Sequence, residues 1–251
     1  MSAELFDLSG KVAIVTGGSR GLGREMVLAF AEHGADVIIA SRKIDNCEAV
    51  ADELRSMGRR ALAVAYHAAS WHAADELAER AYAEFGRVDI LVNNAGMSPL
   101  YPSVEAISED LFDKVMGVNL KGPFRLSAVV GTAMAAGDGG SIIFVSSIAS
   151  HRPSPNELVY GAAKAGVNNL TIGLARTLGP KVRVNCIVPG PFLTDISKAW
   201  DLDTFTRSAA TGFALQRGGR PDEVVGAALY FASAASSYTT GALLNIDGGP
   251  R

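Results

Sequence analysis

The sequence predicts an α/β fold built on one doubly wound parallel sheet with helices on both faces. Three observations carry that expectation. Seven apolar runs of β character alternate along the chain with stretches of helical periodicity, and the first run passes straight into a glycine-rich turn that opens a helix. Such alternation implies parallel strands joined by right-handed crossovers. At 251 residues, with 48% hydrophobic and 20% charged residues, the chain suits a single compact domain, 1–251, with a sizeable core.

The first strand is expected at 12–15 and runs into Thr16-Gly17-Gly18-Ser19-Arg20-Gly21-Leu22-Gly23; the helical pattern near 22–33 follows, carried by Met26, Val27 and Phe30. The second strand, 36–40, precedes a helical pattern near 44–57, and the third, 61–65, one near 71–85. The fourth, 90–92, opens into Asn93-Asn94-Ala95-Gly96 and leads to a helical pattern over 109–136. The fifth, 141–145, ends before Ser147 and is followed by a helix near 158–178; the sixth, 182–188, runs into Pro189-Gly190. A last helical pattern near 221–235 precedes the seventh strand, 243–246. The stretch from Pro189 to about Gly219 is long for a strand-to-helix connection and carries Phe192, Trp200, Leu202 and Phe205. Connections of that length in compact domains are commonly functional, and this one reads as a lid.

Bulk properties exclude several function classes. The net charge is −3 and the basic residues are scattered, so there is no electrostatic footprint for nucleic acid. The first residues are acidic and lack an apolar signal core, and no stretch approaches the ~20 apolar residues of a membrane span; a cytoplasmic protein is expected. The only cysteines, Cys47 and Cys186, suit a reduced compartment, with Cys186 a small buried filler. Those cysteines and four dispersed histidines offer no metal-ligand spacing.

The chemistry is carried by Tyr160-Gly-Ala-Ala-Lys164. Residues four apart share a helix face. A phenol has a pKa near ~10, and an ammonium one turn away favours the phenolate and is expected to bring that value down. Ser147, at the end of a strand, can return its hydroxyl to Tyr160, and the trio reads as acid–base chemistry at a carbonyl. At the other end of the chain, a dinucleotide pyrophosphate needs close backbone approach and the positive end of a helix. Gly17 would permit the turn, Gly21 the approach of the phosphates and Gly23 close packing of helix on strand.

Thr16-Gly17-x-x-x-Gly21-x-Gly23, Asn93-Asn94-Ala95-Gly96, Asn119, Ser147, Tyr160-x-x-x-Lys164 and Pro189-Gly190 stand in the order and spacing of the short-chain dehydrogenase/reductase family, which the chain resembles over about residues 10–249. The resemblance implies a Rossmann-type seven-stranded sheet and an NAD(P)-dependent oxidoreductase acting on CH–OH or C=O groups. It implies a cofactor half, about 1–145, a catalytic and substrate half, about 146–251, and a substrate-covering lid, about 189–219. Tyr160 would be the proton donor or acceptor, Ser147 the hydrogen-bond donor to the carbonyl oxygen, Lys164 the ligand of the nicotinamide ribose, and Asn119 the holder of a water on the proton path. The cofactor would also meet Ser19, Arg20, Leu22, Ser41, Arg42, His67, Ala68, Asn94, Ala95, Gly96, Pro189, Gly190, Phe192 and Thr194, with Asn93 bracing the sheet-end backbone. His67 stands where many relatives place an aspartate against the adenine.

NADP(H) is expected ahead of NAD(H). NAD-preferring relatives place a carboxylate at the end of the second strand, whereas this chain reads Ser41-Arg42. Arg42 with Arg20 could clamp a 2′-phosphate through guanidinium forks. Ser41-Arg42 and His67 resemble the carbonyl-reductase branch. The pocket expected from Met97, Leu100, Tyr101, Pro153, Leu158, Phe192, Trp200 and Phe205 is apolar and suits a hydrophobic ketone or aldehyde. The alternative within the family is a 3-oxoacyl-thioester reductase, which would meet an acidic carrier protein through basic residues; Met134-Ala-Ala-Gly-Asp138-Gly-Gly supplies none. A non-catalytic nucleotide-binding regulator would typically lack the tyrosine or lysine, and a nucleotide-sugar epimerase would have different glycine spacing. By resemblance the assembly is a homotetramer.

Overall fold

The structure, a computed structural model, describes residues 2–194, 197 and 201–251; Trp200, expected at the substrate, lies outside them. Seven strands, β1 (Val12–Thr16), β2 (Asp36–Ser41), β3 (Ala61–Ala65), β4 (Ile90–Asn93), β5 (Gly140–Val145), β6 (Val182–Pro189) and β7 (Leu243–Ile246), form one sheet in the order β3-β2-β1-β4-β5-β6-β7. Every pairing is parallel. The helices are α1 (Ser2–Leu5), α2 (Gly21–Glu32), α3 (Ile44–Ser56), α4 (Trp71–Phe85), α5 (Glu109–Met116), α6 (Gly122–Ala136), α7 (Leu158–Leu178), α8 (Leu202–Gly212) and α9 (Val225–Ala232).

The central strands are apolar throughout because both faces of the sheet are covered. Alternate residues point to opposite layers. Ala13, Val15 and Ile39 pack with Met26, Phe30, Leu54 and Phe231 from α2, α3 and α9. Val12, Ile14 and Ile38 pack with Leu77, Leu126, Val130 and Val167 from α4, α6 and α7. Register aligns the carboxyl ends: Thr16 pairs with both Ala40 and Asn93, Asn93 with Phe144, and Val145 with Ile187. The winding reverses between β1 and β4, so the loops after these strands diverge and leave a crevice at this edge.

Two stretches differ from the sequence reading. The 109–136 pattern is not one helix but α5, a π-helical segment Gly117–Lys121, and α6. The break coincides with Gly122, where any Cβ would overlap the Ala68 carbonyl oxygen, and with Pro123 in the first turn of α6. Such π insertions are frequent at functional sites, and this one carries Asn119. The pattern near 221–235 resolves into a 3₁₀ turn, Pro221–Val224, followed by α9.

The connection after β6 contains α8 and is tied down at its far end by Glu223. That carboxylate accepts two bonds from the Arg217 guanidinium, at 2.6 and 2.7 Å, and one from the Arg220 amide at 2.7 Å. These bonds, the Arg217 pair foremost, hold the Glu223 pKa down to about 2. A depressed carboxylate contributes stability above its unfolded value, near ~4.3, and loses it as pH falls toward the folded value. Glu223→Gln should therefore melt below the parent protein at pH 6, with the gap narrowing steadily toward pH 3. Circular-dichroism melts across that range test this, and a gap independent of pH would contradict it.

Candidate active site

β1 and β4 end side by side, and the loops that leave them are fastened to each other. The Thr16 hydroxyl donates to the Val92 carbonyl (3.2 Å) and accepts from the amides of Asn94 (3.0 Å) and Ala95 (3.1 Å). The Asn94 side-chain amide donates in return to the carbonyls of Thr16 (3.0 Å) and Gly17 (3.2 Å). Gly17 and Gly21 adopt positive φ, +68° and +53°, a region that favours glycine. At Gly23 a Cβ would overlap the Gly17 carbonyl oxygen, so the first turn of α2 is seated on the glycine loop at the end of β1. No side chain caps the start of α2. Uncapped first-turn amides beside glycines suit a pyrophosphate. Thr194 lies over this loop, its Cβ and Cγ2 3.7 Å from where a Gly21 Cβ would stand.

At the outer side of the crevice, Ser41 ends β2 and Arg42 and Arg20 are exposed. Neither guanidinium has an ion pair or side-chain hydrogen bond among the described residues. His67 is also exposed, and Ala68 is buried. Asn93, expected to brace the loop ends, instead donates from its buried side chain to the Ser127 hydroxyl (2.8 Å) and so fastens β4 to α6. Asn94 does the bracing. Gly190 sits where a Cβ would press on Asp247 Cα at 2.7 Å, and its amide bonds to the Ile246 carbonyl, so the start of the long connection is held against the end of β7.

The reacting end is assembled by β5 and α7. Ser147 follows β5 and accepts from the Ala149 amide (3.2 Å), which turns the chain at Ile148–Ser150. Its hydroxyl also acts on the Tyr160 phenol, pulling that group's pKa down. Lys164 is buried, donates to the Val145 carbonyl (2.7 Å), and lies 5.6 Å from the centroid of the Tyr160 ring. Asn119, with no exposed surface, donates to the carbonyls of Met97 (2.8 Å) and Val115 (2.9 Å) and accepts from the Met97 amide (3.2 Å). Gly96 lies between the two polar groups. A Cβ there would stand 3.0 Å from Asn119 Oδ1 and 3.6 Å from Lys164 Nζ, so only glycine leaves that cradle open.

The electrostatics correct the sequence reading. Burial pushes the Tyr160 phenol up to about 12, against the pull of the Ser147 hydroxyl, and the Glu157 carboxylate adds to the rise. Burial also lowers Lys164 to about 8. The lysine does not bring the phenol down here, because its ammonium is directed to the Val145 carbonyl and desolvation outweighs a charge held off the hydroxyl.

Of the residues expected to line the substrate pocket, Met97 is half-buried and anchored through its backbone to Asn119, while Pro153 and Leu158 are exposed near the start of α7. Phe205 is half-buried, with its ring 3.0 Å from where a Gly218 Cβ would stand. Phe192 differs from the expectation: the residue is 7% exposed, belongs to the core with α2 and α9, and packs its ring against Gly219, so it offers a substrate little surface. Tyr101 acts as a staple, its hydroxyl accepting from the Leu158 amide (2.7 Å) and donating to the Pro155 carbonyl (3.1 Å). Sequence reasoning did not single out Glu157, which lines a small cleft with Pro99, Tyr101, Val159 and Tyr160. The available signal was a carboxylate three positions before the tyrosine, on the same helical face. Among the described residues there is no cluster of metal-ligating side chains, and no helix is long and apolar enough to cross a membrane.

Comparison with known proteins agrees with this geometry. The short chain dehydrogenase family model matches residues 11–204. The chain is 38% identical to the 2-dehydro-3-deoxy-D-gluconate 5-dehydrogenase of Pseudoalteromonas atlantica over 98% of each protein. A solved 7α-hydroxysteroid dehydrogenase, complexed with NADH and 7-oxo glycochenodeoxycholic acid, superposes with a TM-score of 0.95 at 32% identity, covering 100% of this chain and 98% of that one. A 3-oxoacyl (acyl-carrier-protein) reductase from Agrobacterium tumefaciens with NADP bound superposes at 0.93 and 32% identity, covering 99% and 97%. The chain belongs to the short-chain dehydrogenase/reductase family and is an NAD(P)-dependent oxidoreductase acting on CH–OH or C=O groups.

Proposed function

We propose that the enzyme is an NADP(H)-preferring carbonyl reductase acting on a hydrophobic ketone or aldehyde. The observation that carries this reading is the gathering of Ser147, Tyr160 and Lys164 beyond the end of β5, where the Ser147 hydroxyl pulls the phenol's pKa down and Lys164 lies 5.6 Å from the Tyr160 ring centroid. Reduction builds negative charge on the carbonyl oxygen, and donors already in place favour the transition state over the ground state. Serine and tyrosine are those donors. A phenol held near 12 keeps its proton throughout the neutral range, so the donor form is present, and an ammonium brought closer to it would lower that value toward the operating pH. Lys164, protonated below about 8, would turn toward the ribose hydroxyls of the cofactor, and Asn119 would position a water on the proton path. A bound nicotinamide would supply or accept the hydride. Gly17, Ser19, Gly21, Leu22 and Gly23 would hold its pyrophosphate, with Ala95 and Gly96 along the adenosine and ribose, and Thr194 near the carboxamide. His67 would face the adenine beside Ala68.

The direct test is NADPH consumption with apolar ketones, diketones and aldehydes beside acetoacetyl thioesters. Free carbonyls should be reduced, and Tyr160→Phe should lower kcat by about 10²–10⁴ while leaving nucleotide affinity intact. Turnover confined to thioesters would favour a 3-oxoacyl-thioester reductase, a reading that the likeness to the Agrobacterium enzyme keeps in the test.

Preference for NADP(H) is supported by the absence of an acid at Ser41-Arg42 and by the two uncommitted guanidiniums. Arg42→Ala should reduce kcat/KM for NADPH by about tenfold or more, since a charge-assisted bond is worth about 1.5–3 kcal/mol, with little change for NADH. Equal efficiencies of the two cofactors in the parent enzyme would defeat this part of the reading.

We further propose a cytoplasmic homotetramer. The two free, buried thiols suit a reducing compartment. Exposed apolar side chains on the helices flanking the active-site edge, Phe112, Phe124 and Ile172, and on β7, Leu243 and Leu244, suit two separate contacts between copies. Light scattering at micromolar concentration should give four chains per particle; a monomer would refute the assembly.

A further inference from the structure

Glu157 stands at the N-terminal boundary of α7, one turn before Tyr160. Its carboxylate joins both walls of the cleft. Ser154, from the loop after β5, donates to it at 2.9 Å, and Ser98, from the loop after β4, approaches at 3.5 Å. Tyr101, from the same loop as Ser98, lines the cleft beside it and is held by the Leu158 amide and the Pro155 carbonyl.

No cation pairs with this carboxylate among the described residues. The nearby basic groups are engaged elsewhere: Arg152 donates to the Pro250 carbonyl (3.2 Å), the His151 ring meets the Ser150 hydroxyl (3.2 Å), and Lys164 is bonded to the Val145 carbonyl. Glu157 thus presents an unneutralised charge, fixed by hydroxyls, to the same cleft as the reacting phenol. A second negative charge brought to within several ångströms in a partly desolvated cleft is repelled by enough to change binding about tenfold or more.

We infer that Glu157 is a charge filter at the substrate entrance, admitting neutral carbonyl compounds and turning away those with a carboxylate or phosphate close to the reacting carbonyl. This rests on the proposed carbonyl-reductase reading. It deepens that reading by naming a residue and a substrate property. Glu157 is a selectivity residue, not a proton donor, and its conservative replacement Glu157→Gln keeps the shape and a hydrogen-bond acceptor while removing the charge.

The test compares ethyl acetoacetate with acetoacetate as substrates of the parent enzyme, Glu157→Gln and Glu157→Asp, using NADPH. The ratio of kcat/KM, ester over acid, is the readout, because fold damage would lower both numbers together. The ratio should fall at least fivefold in Glu157→Gln, through KM for the acid, and stay near the parent value in Glu157→Asp. It should also shrink as salt is raised in the parent enzyme and not in Glu157→Gln. A ratio equal in parent and Glu157→Gln overturns the inference. Saturation-transfer NMR with hexanamide and hexanoate, which are not reduced, measures the same preference without turnover. If neither keto compound is reduced, the carbonyl-reductase reading fails while the NMR comparison still judges Glu157: preference for the amide that vanishes in Glu157→Gln supports the filter, and its absence, or no amide binding, overturns it.

Discussion

The site depends on the clasp between Thr16 and Asn94. Parallel strands that diverge at a switch point leave two loops with unpaired backbone groups at a sheet edge, and those groups must find partners. One hydroxyl and one carboxamide supply them, through bonds running in both directions between the β1 and β4 loops. The consequence is geometric. With the Gly17 carbonyl held by Asn94, the start of α2 can approach only where Gly23 has no side chain, which sets the helix end against the loop. The same clasp fixes Ala95, hence Gly96, hence the gap between Asn119 and Lys164. The glycine loop and the groups around Lys164 are therefore one mechanical unit.

Within that unit, the polar groups of the reacting end are satisfied by the scaffold rather than by each other. Lys164 bonds to the Val145 carbonyl, Asn119 to Met97 and Val115, and Ser147 to the Ala149 amide. Buried polar groups left unpaired are costly, so each is parked on main-chain groups of β5, α5 or the loops beside them. The electrostatic result is a phenol that holds its proton tightly and a lysine that holds its own less tightly than in water. The two shifts have one cause, desolvation, which disfavours phenolate and ammonium alike. Bringing the ammonium closer to the phenol would offset both penalties at once, so the pair is tuned by where Lys164 points.

Much of this was legible in the sequence because strand and helix periodicities are strong in a sheet buried on both faces. All seven strands are legible within a residue or so of their ends, and Lys164 stands beside the Tyr160 ring as a spacing of four on a helix implies. What escaped depended on neighbours distant in the chain. The π-helical turn at Asn119 answers to the Ala68 carbonyl packed on Gly122, a contact no periodicity reports. Phe192 reads as a pocket aromatic, yet Gly219 lets its ring pack in the core. The division of labour between Asn93 and Asn94 turns on which face of β4 each side chain leaves, and Glu157 gains its meaning only from the serines that reach it across the cleft.

The connection after β6 shows how a long excursion is tied back to the scaffold. Its two ends are pinned: Gly190 to Ile246 at the start, Arg217 and Arg220 to Glu223 at the finish. Between them, α8 carries exposed Leu202 and a single buried alanine, Ala209, so it contributes little to the core. Its far end is paired with the chain terminus instead, through Ala214 and Leu215 to the carbonyls of Gly249 and Gly248, and the Arg251 amide to Gly212. Pro250 in turn accepts from Arg152, in the loop that follows Ser147. The terminal residues thus link this connection to the loop that follows Ser147. That strap and the clasp at Thr16 and Asn94 tie the loops after β5 and β6, and those after β1 and β4, to one another.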